Sequence, residues 1–192
     1  MSFKSSVALA LWMVAATAAL GAENRPIDAE RSTLTVFVDK SGLFSAFADD
    51  HVISAPIAAG SISSNAPLAV EVKVRSANLK VLDPNLPADK RAEVQARMLG
   101  PEVLDSGKFP DITFASTAIE SAGVDRWTVT GRLTIRGETR PTTFSVVRQD
   151  GRFRGTVALK QRDFGIEPIS ILGGTVRVKD ELKVEFDVVA RR

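Results

Sequence analysis

Trp127-Thr128-Val129-Thr130-Gly131-Arg132-Leu133-Thr134-Ile135 is the stretch that decides the fold. Trp127, Val129, Leu133 and Ile135 alternate with Thr128, Thr130, Arg132 and Thr134. A period of two marks a β-strand with one apolar and one polar face, because successive side chains leave a strand on opposite sides. The pattern recurs upstream in Leu34, Val36 and Val38 and in Leu68, Val70, Val72 and Val74. Downstream it recurs in Leu182, Val184, Phe186 and Val188. Further strands are expected over 53–62, 112–120, 142–147, 153–160 and 175–178. Asp150-Gly151 is a strong two-residue hairpin signal. Gly137 to Pro141 reads as the connection after Ile135, and Lys179-Asp180-Glu181 as a turn before the last strand. About eight or nine strands with short connections are expected to close on themselves, since open edges leave backbone groups unpaired.

One segment departs from the period of two. Ala88 to Leu99 holds no Gly or Pro and is rich in Ala, Arg, Lys, Glu and Gln, so it reads as a helix stopped by Gly100-Pro101. A second helical turn is expected from Pro101 to Leu104. Whether the helix covers one end of a barrel or packs on its outer wall stays open. Residues 23–31 read as a polar lead-in.

The chain has 192 residues and no cysteine, so disulfides and thiol chemistry are excluded. Its first residues look like a secretory leader: Lys4, then an apolar run from Val7 to Leu20, then Leu20-Gly21-Ala22 with small residues for cleavage. Cleavage near Ala22 leaves about 170 residues, enough for one domain with a real core, and implies a periplasmic or secreted location. The formal net charge is only +2. A nearly balanced surface argues against nucleic acid as a partner.

Alternation alone does not say which face points inward, because an outer-membrane barrel also alternates. Such barrels carry aromatic girdles. Here Tyr is absent, and Trp127 is the one tryptophan beyond the leader. The polar faces carry Lys, Arg, Glu and Asp of both signs. The expected form is therefore a barrel with an apolar interior that is not integral to the membrane. Small barrels of this kind either pack solid or hold one ligand.

Three stretches carry a family resemblance. They are Ser41-Gly42-Leu43-Phe44-Ser45-Ala46-Phe47, Leu104 to Ser116 with Ser106-Gly107-Lys108-Phe109-Pro110-Asp111 at its centre, and Gly131 to Pro141. Together they resemble the YceI-like family, bacterial lipocalin-like polyisoprenoid-binding proteins, over about Ser32 to Val189. The resemblance implies an all-β fold: a single extended antiparallel eight-stranded lipocalin-like barrel with one inserted helix. It also implies an apolar tunnel for a long isoprenoid or fatty-acyl chain. Ala48-Asp49-Asp50-His51 stands where related sequences carry two histidines around one residue. Only His51 is present, which weakens any grip by a histidine pair.

The expected ligand-binding residues are Phe44, Phe47, Phe114, Leu133, Ile135, Phe164 and His51. Phe44, Phe47, Phe114 and Phe164 are large apolar groups near strand ends or turns. His51 is a candidate for a polar head group, against the blander role of a solvated or backbone-bonded imidazole. No metal site is expected, since Asp50 and His51 are adjacent and would point to opposite faces of a strand. No catalytic residue is assigned: no Gly-x-Ser-x-Gly elbow and no phosphate-binding glycine loop is present. Arg136, Arg140, Arg162 and Lys160 are rim cations that suit an anionic head group or plain solvation. The expected function is lipid binding or carriage without a cofactor. A stress-related structural or interaction protein with a solid-packed barrel is the alternative, and a lipid-acting enzyme comes third. A homodimer stays open.

Overall fold

The computed structural model describes residues 24–41, 51–63, 65–171 and 176–191. The leader, Phe44, Phe47, Asp49, Asp50 and Gly173 to Thr175 lie outside the described residues.

The strands are β1 (Asn24–Pro26), β2 (Thr33–Val38), β3 (Lys40–Ser41), β4 (His51–Ser54), β5 (Ile57–Ser63), β6 (Val70–Arg75) and β7 (Lys80–Val81). They continue as β8 (Asp111–Gly123), β9 (Arg126–Ile135), β10 (Glu138–Gln149), β11 (Arg152–Lys160), β12 (Ser170–Ile171), β13 (Val176–Val178) and β14 (Glu181–Val188). The helix α1 spans Ala88–Leu99, the expected bounds, and ends at Gly100. Pro101 to Leu104 forms turns rather than a helical turn.

The main sheet is antiparallel, with the order β1-β5-β6-β8-β9-β10-β11-β14-β2-β4-β7. It has eleven strands, not the expected eight. Three causes raise the count. The polar lead-in contributes β1, which pairs with β5, and Lys80–Val81 adds a short edge strand. Ala55-Pro56 also divides one run into β4 and β5, because proline has no N–H for the ladder. The bend has a larger consequence. β4 pairs with β2, while β5 pairs with β6. The two ends of the order are thereby connected through the chain, and the sheet curls into a half-barrel around a lumen. A second sheet of three strands, β12-β13-β3, lies beside it. Within it β13 pairs with β12 and β3, so Lys179-Asp180-Glu181 does not close a hairpin between β13 and β14.

Hairpins set the register. Asp150 and Gly151 both have positive φ, 53° and 72°, as a two-residue hairpin turn requires. The β9–β10 turn is equally tight: Arg136 and Gly137 have φ of 51° and 78°, and β10 begins at once at Glu138. The expected connection through Pro141 is thus too long. Pro141 lies inside β10 opposite Arg132. It is tolerated there because β11 pairs with β10 only at Val147 to Gln149, leaving Pro141 on an edge.

Inward residues keep a period of two along most strands, and register shifts break it in β5 between Ile57 and Ala59 and in β8 between Ser116 and Ala118 and again between Ser121 and Gly123. The first β8 shift matters most for the lumen. The extra residue moves the inward set from even to odd positions, so Phe114 and Ile119 both face the lumen. At the α1 end, Val38, Ile53, Val74, Leu79, Met98 and Phe164 pack together. At the other end Ile27, Ile57 and Val188 pack with Ile62 and Phe186.

Outside the wall, Asp187 of β14 accepts from Arg152 Nε at 2.5 Å and Arg154 Nε at 3.0 Å. Loss of hydration pushes its carboxyl up, but the Arg154 and Arg152 hydrogen bonds outweigh this and hold it below its ordinary range. A depressed folded pKa stabilises the fold above the unfolded carboxylate value of about 4 and stops doing so as pH falls through the folded value. Asp187→Asn is therefore expected to cost about 1 kcal/mol at pH 6. The gap to the natural chain should narrow as pH falls below about 4 and through the depressed folded value, read from urea midpoints across that range.

Candidate functional site

The curled sheet encloses a cavity of about 1160 Å³. That is at or above the top of the usual range for small-molecule pockets, about 300–1,000 Å³. The lumen is therefore hollow, which disfavours the solid-packed barrel. Its walls are the inward rows of the strands: Leu34, Val36 and Val38 of β2, Val70, Val72 and Val74 of β6, and Val184, Phe186 and Val188 of β14. α1 contributes Val94 and Met98, so it covers one end of the lumen rather than packing outside.

Two inward rows carry a gap. On β9, Trp127, Val129, Leu133 and Ile135 line the lumen, and Gly131 between them does not. On β11, Phe153, Val157 and Leu159 line it, and Gly155 does not. A Cβ on Gly131 would collide with the Phe114 ring and the Ala115 carbonyl. One on Gly155 would collide with the Phe186 ring and the Ser145 carbonyl. Each aromatic ring thus occupies the space that a side chain at the glycine would take. Phe144 bridges them, 5.3 Å from Phe114 and 5.5 Å from Phe186 by ring centroids. The three rings form a band midway along the lumen. At the end away from α1, Trp127 stands 6.0 Å from Phe153, with the Arg148 guanidinium 5.9 Å from the indole.

Phe114, Leu133, Ile135, Phe164 and His51 all line this one cavity. Phe44 and Phe47 lie outside the described residues. Thr134 turns away from the lumen and its Oγ1 is 2.8 Å from Thr139 Oγ1 on β10. Of the four rim cations, Lys160 lines the cavity. Arg136 donates to the carbonyls of Gly165 and Pro101, Arg140 pairs with Glu138, and Arg162 with Glu167.

The His51 side chain is largely buried, and among the described residues its ring is bonded to a carboxylate rather than to backbone. Its Nδ1 lies 2.6 Å from Oδ2 of Asp83, a residue only 3 % exposed. Asp83 Oδ1 accepts the Val52 N–H at 2.8 Å. Arg91 of α1 donates to the backbone carbonyls of Asp83 and Leu86 and fixes the loop that carries the carboxylate. The sequence pairs His51 with its neighbours Asp49 and Asp50. The partner found here comes from the loop after β7, and no local spacing points to it. Among the described residues, no three His, Asp or Glu side chains come together as a metal site, and no helix is long and apolar enough to cross a membrane.

The model of the YceI-like domain matches residues 26–190. A UPF0312 protein of Pseudomonas putida (strain W619) is 35% identical over 86 residues, 40% of this chain and 45% of that protein. A UPF0312 protein of Pseudomonas savastanoi pv. phaseolicola is 36% identical over 111 residues, 53% of this chain and 56% of that one. The chain thus matches about half the length of these relatives. Among solved structures, BcnA of Burkholderia cenocepacia superposes with a TM-score of 0.68 at 20% identity, covering 86% of this chain and 99% of that one. A polyisoprenoid binding domain from Saccharophagus degradans, implicated in plant cell wall breakdown, gives 0.58 at 15% identity, covering 87% and 97%. These two share the fold. With strands, helix and lumen in place and the match running over most of its length, the chain belongs to the family of YceI-like domains.

Proposed function

We propose that this protein binds or carries a long apolar lipid, of polyisoprenoid or fatty-acyl type, in the lumen of its sheet. The observation that carries this is the hollow, hydrocarbon-walled cavity. Each CH₂ moved from water into it contributes about 0.8 kcal/mol, so some ten of them hold a chain without any charged contact. The polyisoprenoid-binding neighbour supports the same reading. The proposal takes an eight-stranded lipocalin-like barrel as the container, with 51–63 taken as one bent strand and the two- and three-residue pieces of the eleven-stranded sheet set aside. No reaction is assigned, and the function needs no cofactor. The leader pattern supports a periplasmic or secreted location after cleavage near Ala22.

Trp127 gives a direct test, because it lines the cavity and is the one tryptophan beyond residue 22. Titrating the cleaved chain with a long-chain prenyl or acyl lipid should change its emission and saturate at one lipid per chain. Trp127→Phe should remove the signal while a radiolabelled lipid still binds. No saturable binding by either readout rules the proposal out.

A further inference from the structure

Most polar groups that reach the lumen are already engaged. Lys90 pairs with Glu93, Arg148 with Asp125, and Gln161 donates to the Lys179 carbonyl. His51 differs, because its partner sits behind it. The imidazole lines the cavity and Asp83 does not. A carboxylate only accepts hydrogen bonds, so the hydrogen between the two groups is carried by Nδ1. In a neutral imidazole with its hydrogen on Nδ1, the lone pair is on Nε2. Among the described residues Nε2 has no hydrogen-bond partner.

We infer that the His51–Asp83 pair offers Nε2 to the lumen as a fixed acceptor and selects a long-chain ligand ending in a neutral hydroxyl, an alcohol or a phenol. This rests on the lumen being the lipid site. A hydroxyl donates to Nε2 and is satisfied there. An ether places lone pair against lone pair and leaves Nε2 buried without a partner, which is costly in an apolar cavity. An anionic head comes within one ring's width of the buried Asp83 carboxylate, and like charges repel strongly at low dielectric. Asp83 is a positioning residue: it touches no ligand and acts by holding the tautomer.

The test uses the full, untagged chain and three probes of equal length: tetradecan-1-ol, its methyl ether and tetradecanoate. The alcohol should bind about tenfold more tightly than the ether, one buried hydrogen bond's difference, and more tightly than the carboxylate. In His51→Phe the alcohol and ether should bind equally. In Asp83→Asn the side-chain oxygen still accepts from Val52 and the amide donates to Nδ1, so the ring proton moves to Nε2 and the alcohol loses its advantage. Because His51 is the only histidine, ¹⁵N-histidine labelling gives one imidazole spectrum. It should show Nδ1–H in the natural chain and Nε2–H in Asp83→Asn. Equal binding of alcohol and ether by the natural chain, or a ring protonated at Nε2, overturns the inference and leaves lipid binding intact. Failure of all three probes to bind a folded chain overturns lipid binding itself and this inference with it.

Discussion

Leu133→Glu is expected to abolish retention of any long-chain lipid and to lower stability by about 3–5 kcal/mol, the usual cost of an unpaired charge in an apolar site. Leu133 faces the lumen, and the next residue provides the control. Thr134→Glu should cost only about 1 kcal/mol, one hydrogen bond to Thr139, and leave lipid content unchanged. Urea midpoints and the lipid content of purified protein check both. If the two substitutions had equal effects, the inward and outward faces of β9 would be assigned wrongly.

Gly131→Val should be nearly as damaging, for a reason of shape rather than charge. The new side chain meets both the Phe114 ring and the Ala115 carbonyl of β8. A ring can swing aside, but only by entering the lumen. The carbonyl belongs to a paired strand and moves only if the ladder gives way. Overpacking of this kind costs about 1–3 kcal/mol, and the upper end is expected here because backbone is involved. Lipid binding should also weaken, since a displaced Phe114 narrows the cavity. Phe114→Leu in the same chain should restore part of the stability, because it removes the ring clash and leaves the carbonyl clash. A double-mutant cycle reads that coupling. Full additivity would mean that Phe114 does not lie over Gly131.

The two substitutions divide what the sequence made legible from what it did not. That Leu133 and Ile135 share one face of β9 and Thr134 takes the other followed from alternation alone; which face points inward followed from the charges on the polar face and the scarcity of aromatic girdle residues. The bounds of α1 followed from composition and from Gly100-Pro101. The role of Gly131 did not follow, because a glycine in a strand reads as a turn, a bulge or a close approach, and only the cross-strand register shows which ring covers it. Pro141 misled in the opposite direction. It reads as a breaker, yet β11 does not reach it, so its missing N–H costs no ladder bond. Ala55-Pro56 was passed over in reading one strand across 53–62, and the bend there brings the two ends of the sheet onto one run of chain. Asp83 was invisible for a different reason. Its link to His51 joins residues 32 positions apart, and the pairing exists only once β4 and β7 lie side by side.

Mass spectrometry of an organic-solvent extract of the protein, purified without detergent from its native host, tests lipid carriage most directly. One long-chain prenyl or acyl lipid per chain is the result expected, and an extract holding no stoichiometric lipid would contradict it.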